Sequence, residues 1–377
     1  MTTKLRKRAM SRDVGKQTFV YVAALLLVGS CGRQVAPQGR LDGSQGLPHR
    51  LRGVHINHED KTWWDAEKAR REVKKLVEDW GVNVLRIHLD LTQEPMRRGT
   101  LAERLGRLLQ QPGYKTFLEA VAGLDIWLVL DLFPRPKESG WPSGGWNTLW
   151  QNKQCQREFV EGWLEMGQRF RQQPKWIFDL LNEPEIEGQL KNNVAEIAEI
   201  WNELARTTVT ACRRVGSPNI VLVEPFWGTA NNFVYLRPLA EERVWYSFHF
   251  FHPHWFTHQG ARGDWPAAGT VRYPGEGYGD YGKLPAQRWN KQALDKLLDP
   301  VRSWQRSAPH VRVLMGEGGC IVNAPSPDRE MWLADMLDLM ESNGWDWIVF
   351  AGPGFSLQDT NAEKVVRQRL KGVKPRR

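Results

Sequence analysis

Cysteine is scarce in this chain. Four of 377 residues are Cys, at positions 31, 155, 212 and 320, and no two form a Cys-x-x-Cys pair. A disulfide scaffold is excluded. Beyond Cys31 three remain, an odd number, so at most one bridge is open and spacing does not choose it. Cys212 falls on a helical apolar face and reads as a core residue. Long apolar runs are missing too. The run Phe19 to Val28 is shorter than the ~20 residues a membrane-spanning helix needs. No P-loop, HExxH or GxSxG string occurs, nor any repeat at a fixed period. Gly277-Tyr278-Gly279-Asp280-Tyr281-Gly282 has the letters of a dinucleotide fingerprint but no preceding buried strand, so it is set aside. Tyr is rare, with 7 against 14 Phe and 19 Trp. Hydrophobic residues at 41% and charged residues at 25% exclude a disordered or collagen-like chain and fit a globular one.

The formal charge is +9, but its basic excess is concentrated at the start. Lys4, Arg6, Lys7, Arg8, Arg12 and Lys16 precede the short apolar run, which ends in Val28-Gly29-Ser30-Cys31. This resembles the lipobox of bacterial lipoproteins, and the resemblance implies cleavage of residues 1–30 and a lipid on Cys31. An uncleaved signal anchor, or a chance Cys after an ordinary signal, are the other readings. Gly32 stands where Asp would mark retention at the inner membrane, so the expected location is the bacterial cell envelope, at the outer membrane or cell surface. Removing residues 1–30 takes away those six basic residues and Asp13, leaving +4. No basic stripe with interleaved aromatics remains, so no nucleic-acid partner is expected. Residues 31–46, rich in Gly, Gln and Pro, read as a flexible tether.

From Arg52 onward short apolar runs alternate with longer helical patterns. Strands are expected at Val54–Asn57, Asn83–His88, Ile126–Leu132, Trp176–Leu181, Ile220–Glu224, Val244–Phe250, Val311–Gly316 and Trp345–Phe350. Their near-continuous hydrophobicity suits parallel strands buried on both faces. Helical faces lie between them, such as Ala69, Val73, Leu76, Val77 and Trp80, with a capping-box-like start at Thr62 and Asp65 and a stop at Gly81. Eight strands with helical crossovers predict an α/β fold, a (β/α)8 TIM barrel over residues 47–377; a doubly wound open sheet is the alternative. In a barrel, chemistry sits beyond the strands' carboxyl ends. That directs attention to Arg86, Asp131, Asn182-Glu183-Pro184, Glu224, His249 and Glu317. Two carboxylates on facing strand ends are what glycoside hydrolysis needs, one protonated and one ionised. Taken singly, Asn182-Glu183-Pro184 equally suits a helix N-terminus.

Phe178-Asp179-Leu180-Leu181-Asn182-Glu183-Pro184 and Met315-Gly316-Glu317-Gly318-Gly319 resemble glycoside hydrolase family 5 of clan A. So do Arg52 to Asn57, Asn83 to His88, Phe248 to Phe251, and the loop Phe256-Thr257-His258-Gln259-Gly260. The resemblance covers roughly residues 50–352. It implies Glu183 as general acid/base and Glu317 as nucleophile of a retaining, double-displacement hydrolase, with carboxyls about 5–5.5 Å apart. Asn182 would bind a sugar 2-hydroxyl, Arg86 would hold Glu317 ionised, and His249 would support the acid/base. Three positions depart from the family's pattern. Phe133 replaces a His after the third strand's Asp, Phe251 a Tyr after the sixth-strand His, and Phe350 a Trp under the sugar. Phe251 cannot donate the bond a Tyr would give the nucleophile, worth about 1.5–3 kcal/mol.

His249, His252, His254 and His258 are close enough in sequence to suggest zinc, but no nearby Asp, Glu or Cys completes the set, and no metal or cofactor is expected. Trp141, Trp146, Trp150, Trp227, Trp255 and Trp265 fall in loops beyond the third, fifth and sixth strands, as sugar platforms or as loop anchors. The function expected is hydrolysis of a β-linked oligo- or polysaccharide, a β-1,4-glucan or relative, by a monomer. A surface glycan-binding protein with impaired turnover, or a transglycosylase, are the alternatives.

Overall fold

The computed structural model describes residues 50–279, 286–358 and 360–371. The signal, the tether, Cys31 and residues 280–282 of the set-aside glycine string lie outside the described residues. Six strands run first: β1 (Arg52–His55), β2 (Val84–Asp90), β3 (Trp127–Phe133), β4 (Trp176–Asp179), β5 (Ile220–Val223) and β6 (Val244–Phe250). A short antiparallel pair, β7 (Gly275–Gly277) and β8 (Gln287–Trp289), interrupts before β9 (Val313–Gly318) and β10 (Asp346–Val349). The eight long strands are parallel and close on themselves: Gly53 of β1 sits opposite Val84 on one side and Ile348 on the other. The open-sheet alternative is therefore wrong, and the fold is a (β/α)8 barrel. Strand ends shift slightly from expectation. β2 continues past His88 to Asp90, and β9 runs from Val313 to Gly318.

The period-two alternation of strands sets the barrel's contents. Leu51, Val84, Val129, Ile177, Leu222, Leu314 and Ile348, with Trp127 and Trp245, fill the interior toward the strands' amino ends. Two residues further along, the same inward face carries Arg86, Asp131, Asp179 and Glu224, all fully buried. Residues of the other parity, such as Leu85, Ile87, Leu128 and Leu130, pack outward with the helices.

Tryptophan binds that outer layer together. Trp163, Trp201 and Trp332 lie on helices Lys153–Arg169, Val194–Arg214 and Asp328–Asn343 and are fully buried. Burying one removes about 150–250 Å² from water, on the order of 4–6 kcal/mol at 25 cal/mol/Å². Their indole N–H groups donate to the carbonyls of Leu180 (3.1 Å), Glu224 (2.9 Å) and His252 (2.9 Å). Each helix is thereby tied to a segment at or beside a strand's carboxyl end.

Helix Ala66–Lys74 is capped by Asp65, whose side chain accepts from the backbones of Glu67 and Lys68. Thr62 lies instead in a preceding 3-10 turn capped by Asp60. Gly81, at φ 84, ends the following π turn, Lys75–Trp80. Cys155, Cys212 and Cys320 are buried free thiols, so no bridge forms among the described residues. Burial pushes the Cys212 thiol up to about 11. No helix among the described residues is long and apolar enough to cross a membrane.

Candidate active site

Arg86 is the hub of the barrel's polar end. Its Nη1 donates to Asp179 (2.7 Å), and its Nη2 to Asn182 Oδ1 (2.9 Å) and Glu224 (3.2 Å). Its Nε lies 2.9 Å from Asp131 and 3.5 Å from Glu317. Burial alone would lower the guanidinium's pKa; Asp131, Asp179, Glu224 and Glu317 together raise it well above the ordinary value. Arg86 is wholly enclosed, so it positions other side chains and does not face a substrate.

Glu183 follows β4 on a loop, with no helix at Asn182-Glu183-Pro184; the next helical turn starts at Gly188. Its φ is 44°, a left-handed conformation that costs a non-glycine residue about 1–3 kcal/mol. Two bonds hold it: its N–H donates to Glu224 Oε2 at 2.9 Å, and Trp227 N–H donates to the Pro184 carbonyl at 2.9 Å. The bend turns the Glu183 carboxylate toward His249, whose Nδ1 is 2.7 Å from Glu183 Oε1. The other ring nitrogen of His249 lies 3.0 Å from Glu224 Oε1. Burial depresses the imidazole's pKa, but Glu224, Glu317 and the bond to Glu183 outweigh it and raise it well above the ordinary value. Glu224 moves the opposite way. Burial pushes it up, and His249 and Arg86 pull it well below the carboxylate range. Two buried groups thus form a charged pair beneath Glu183.

Glu317 reaches the same space from β9 through a bulge. Phe248 pairs with Met315 and His249 with Glu317, so Gly316 is the extra residue. A Cβ on Gly316 would meet Ser247 Oγ at 2.4 Å and Arg86 Nη1 at 2.7 Å; only glycine lets the strand pass this close to the guanidinium. Gly228 acts likewise on the acid/base side, where a Cβ would stand 3.0 Å from Glu183 Cγ and from His249. His249 Nδ1 lies 3.8 Å from Glu317 Oε2. The nearest oxygens of Glu183 and Glu317 are therefore no further apart than this leg plus the 2.7 Å leg to Glu183.

The two carboxylates differ in environment. The Glu183 side chain is 39% exposed and that of Glu317 6%. Burial pushes Glu317 up to about 8 despite His249 and Arg86. Its Oε1 accepts no hydrogen bond among the described residues. Phe251, buried at the next inward position of β6's continuation, packs on Phe350, Phe355 and His258. Phe350 packs tilted against His55 and Phe133 against His88, at 4.8 and 4.5 Å between ring centres. An aromatic wall thus extends from Phe133 to Phe355.

Asn182 is buried and spends its Oδ1 on Arg86. Trp227 is half-buried beside Lys191, with φ 54°. Of the loop tryptophans, Trp141, Trp146 and Trp150 are buried core anchors; Trp150 donates to the Glu185 carbonyl. Trp255 and Trp265 are half-buried, so only these and Trp227 retain a face for a ligand. His252, His254 and His258 pack edge to face or tilted on one another, apart from His249. Sequence reasoning gave no role to His55, His88 or Asp179. His88 Nδ1 lies 2.7 Å from Asp131, and its Nε2 lies 3.5 Å from Glu317 Oε1. For His88 and Asp179 the signal is inward parity on a strand that holds or leads into a site residue, Arg86 on β2 and Glu183 after β4; β1 holds no such residue to point to His55.

A family model described as Cellulase (glycosyl hydrolase family 5) matches residues 43–354. Endoglucanase C of Acetivibrio thermocellus is 28% identical over 212 residues, 52% of this chain and 59% of that protein. Cellodextrinase A of Ruminococcus flavefaciens is 27% identical over 195 residues, covering 50% and 52%. The chain thus spans little more than half the length of these relatives. Among solved structures, the cellulose synthase subunit Z of Clostridioides difficile superposes with a TM-score of 0.62 at 16% identity, covering 85% of this chain and 99% of that one. A glycoside hydrolase superposes at 0.65 with 18% identity, over 85% and 99%. These two share the barrel.

Proposed function

The chain belongs to the cellulase family, glycosyl hydrolase family 5, and from that premise we propose that it hydrolyses a β-linked glycan, a β-1,4-glucan or close relative, with retention of configuration. One observation carries the reading: a single imidazole, His249, stands 2.7 Å from Glu183 and 3.8 Å from Glu317. The sum of those legs bounds the oxygen separation at the bottom edge of the ~6.5–9.5 Å that inverting enzymes need to admit a water, which favours the closer retaining arrangement.

The roles follow from environment. Glu183 is the exposed member, able to exchange its proton with solvent in each cycle, and acts as acid, then base. His249 Nδ1, 2.7 Å from Glu183 Oε1, orients that carboxyl. Glu317, buried beside Arg86, attacks the anomeric carbon as the anion; the bond to the leaving oxygen breaks as Glu183 gives up its proton. Water, deprotonated by Glu183, then releases the glycosyl group and restores both carboxyls. Phe350 and Phe133 offer apolar faces for the sugar, while Asn182 precedes the acid/base and Trp227, tied to the Pro184 carbonyl, keeps a half-buried ring.

Hydrolysis of a panel of β-glycans and aryl β-glycosides, with Glu317→Gln as control, tests the reading; a wild type no faster than the variant on every member would remove it. Product analysis at high acceptor concentration separates transfer from hydrolysis. A second reading, glycan binding with impaired turnover, is favoured by the unpartnered Glu317 Oε1 and the hydroxyl missing from Phe251. Tight binding without turnover on long incubation would support it. We also propose export and lipid attachment at Cys31, with residues 47–377 as a monomeric catalytic domain in the cell envelope. Loss of membrane fractionation in Cys31→Ser is the expected outcome, and unchanged fractionation speaks against the anchor.

A further inference from the structure

Behind Glu317 lies a group of side chains that the hydrolytic reading does not use. His55 on β1 is 2% exposed, and neither of its ring nitrogens has a hydrogen-bond partner among the described residues. A buried imidazole without a partner at either nitrogen forfeits on the order of 1–3 kcal/mol per orphaned group. Its ring lies 4.3 Å from that of His88. One ligand atom each from His55, His88, Asp131 and Glu317 fall within 4.8 Å of one another.

The hydrogen bonding of His88 narrows what fits between them. Its Nδ1 faces both oxygens of Asp131, at 2.7 and 2.9 Å, so in the neutral ring the proton sits there. Nε2 is then a bare lone pair, 3.5 Å from Glu317 Oε1, which is itself unpartnered. A proton on Glu317 or a cation bound between the two atoms would satisfy both; Arg86 Nε also lies 3.5 Å from the same oxygen. A zinc ion bonded at about 2.0–2.2 Å to each atom of a tetrahedral site spaces its ligands by roughly 3.4 Å, close to the separation observed. Asp131 is already engaged by His88 and by Arg86 Nε. It serves as the carboxylate that orients a ligating histidine through its second nitrogen.

Charge points the same way. Five carboxylates, those of Asp131, Asp179, Glu183, Glu224 and Glu317, crowd around two cationic groups, Arg86 and His249. Counted as ionised, the cluster carries an excess of negative charge that bound protons or a divalent cation offsets. Two neutral imidazoles and one carboxylate, with a further position open, form a donor set suited to zinc. We propose that His55, His88 Nε2 and Glu317 Oε1 bind one zinc ion, oriented by Asp131, and that the bound ion ties up the nucleophile and reversibly inhibits the enzyme. Only the inhibition rests on the hydrolase reading; ion binding does not.

Zinc alone, titrated against a chromophoric chelator into the full chain previously stripped with a stronger one, tests the site. One equivalent is expected to bind. His55→Asn and His88→Gln, checked for folding by circular dichroism, are each expected to weaken binding at least tenfold. Full-affinity binding in the double variant would put the ion elsewhere, at His252, His254 and His258 for example, and overturn the proposal, as would no binding to the wild type. Cobalt(II) on the wild type gives a result that does not depend on the variants folding. The intense visible bands of a four- or five-coordinate site are expected, and the weak spectrum of a hydrated six-coordinate ion would also overturn it. Zinc should suppress hydrolysis and a chelator restore it. Zinc binding without hydrolysis under any condition would remove the hydrolase reading and leave the site. Hydrolysis that zinc does not inhibit removes the inhibitory role.

Discussion

Placing a hydroxyl at position 251 probes the proposed nucleophile, Glu317, directly. Glu317 is enclosed, its Oε1 is unpartnered, and burial carries its pKa to about 8 from an ordinary 4.5. A nucleophile attacks as the anion, so activity is complete above the pKa and declines as pH falls through it. The acid limb of kcat/KM for the wild type is therefore expected near pH 8, and about a hundredth of the plateau remains two units lower. Phe251→Tyr adds an O–H to a ring already packed among Phe350, Phe355 and His258. A bond to a charged acceptor is worth about 1.5–3 kcal/mol, which at 1.36 kcal/mol per unit lowers the pKa by about one to two units. The limb should move down by that much, and the rate at pH 6 should rise about 10–50-fold, since ionisation saturates once the pKa reaches the assay pH. The assay is the pH profile of kcat/KM on an aryl β-glycoside, with chelator present so that no metal masks Glu317. A folded variant whose profile overlays the wild type's would refute the reasoning, because the hydroxyl then does not reach the open oxygen.

Glu183→Gln should lower kcat/KM by about 10²–10⁴ on substrates with poor leaving groups and much less on dinitrophenyl glycosides, whose leaving group needs no proton; equal losses on both would contradict the acid role. Arg86→Ala leaves Asp131 and Asp179 buried without their cation and should destabilise the fold by about 3–5 kcal/mol, read from the urea midpoint. Gly316→Ala drives a methyl into Ser247 and Arg86 and should cost about 1–3 kcal/mol of stability along with activity; a neutral result would mean the bulge is not set by that contact. Trp141→Ala should lower stability by about 3–5 kcal/mol and leave KM unchanged, since its ring is buried against Phe159; a raised KM would restore it as a sugar platform.

The barrel was legible because parallel strands buried on both faces leave continuous apolar runs, and all eight were found at nearly their expected ends. Glu183 and Glu317 were noticed because each stands at the carboxyl end of an expected strand within a motif that resembles the family's, Asn182-Glu183-Pro184 and Met315-Gly316-Glu317. Other features were hidden by the geometry that makes them work. The bulge at Gly316 breaks the period-two count, so sequence parity does not announce that Glu317 points inward. Composition does not distinguish a loop Trp anchored in the core from one facing solvent, and Trp141, Trp146 and Trp150 proved to be anchors. His55 escaped attention because β1 holds no other site residue, and His88 because its polar partners, Asp131 and Glu317, lie on other strands. Pairing of β1 with β2, which sequence alone does not show, puts the two histidine rings in contact.

The anomeric form of the first-released sugar tests the paired-carboxylate mechanism most directly. Proton NMR of a β-glycan digest, followed from the first minutes before mutarotation mixes the anomers, reads the configuration at the new reducing end. Double displacement through Glu317 with Glu183 as acid/base requires the β anomer to appear first. An α anomer accumulating first would mean a single displacement by water, and would contradict the close pairing of the two glutamates around His249.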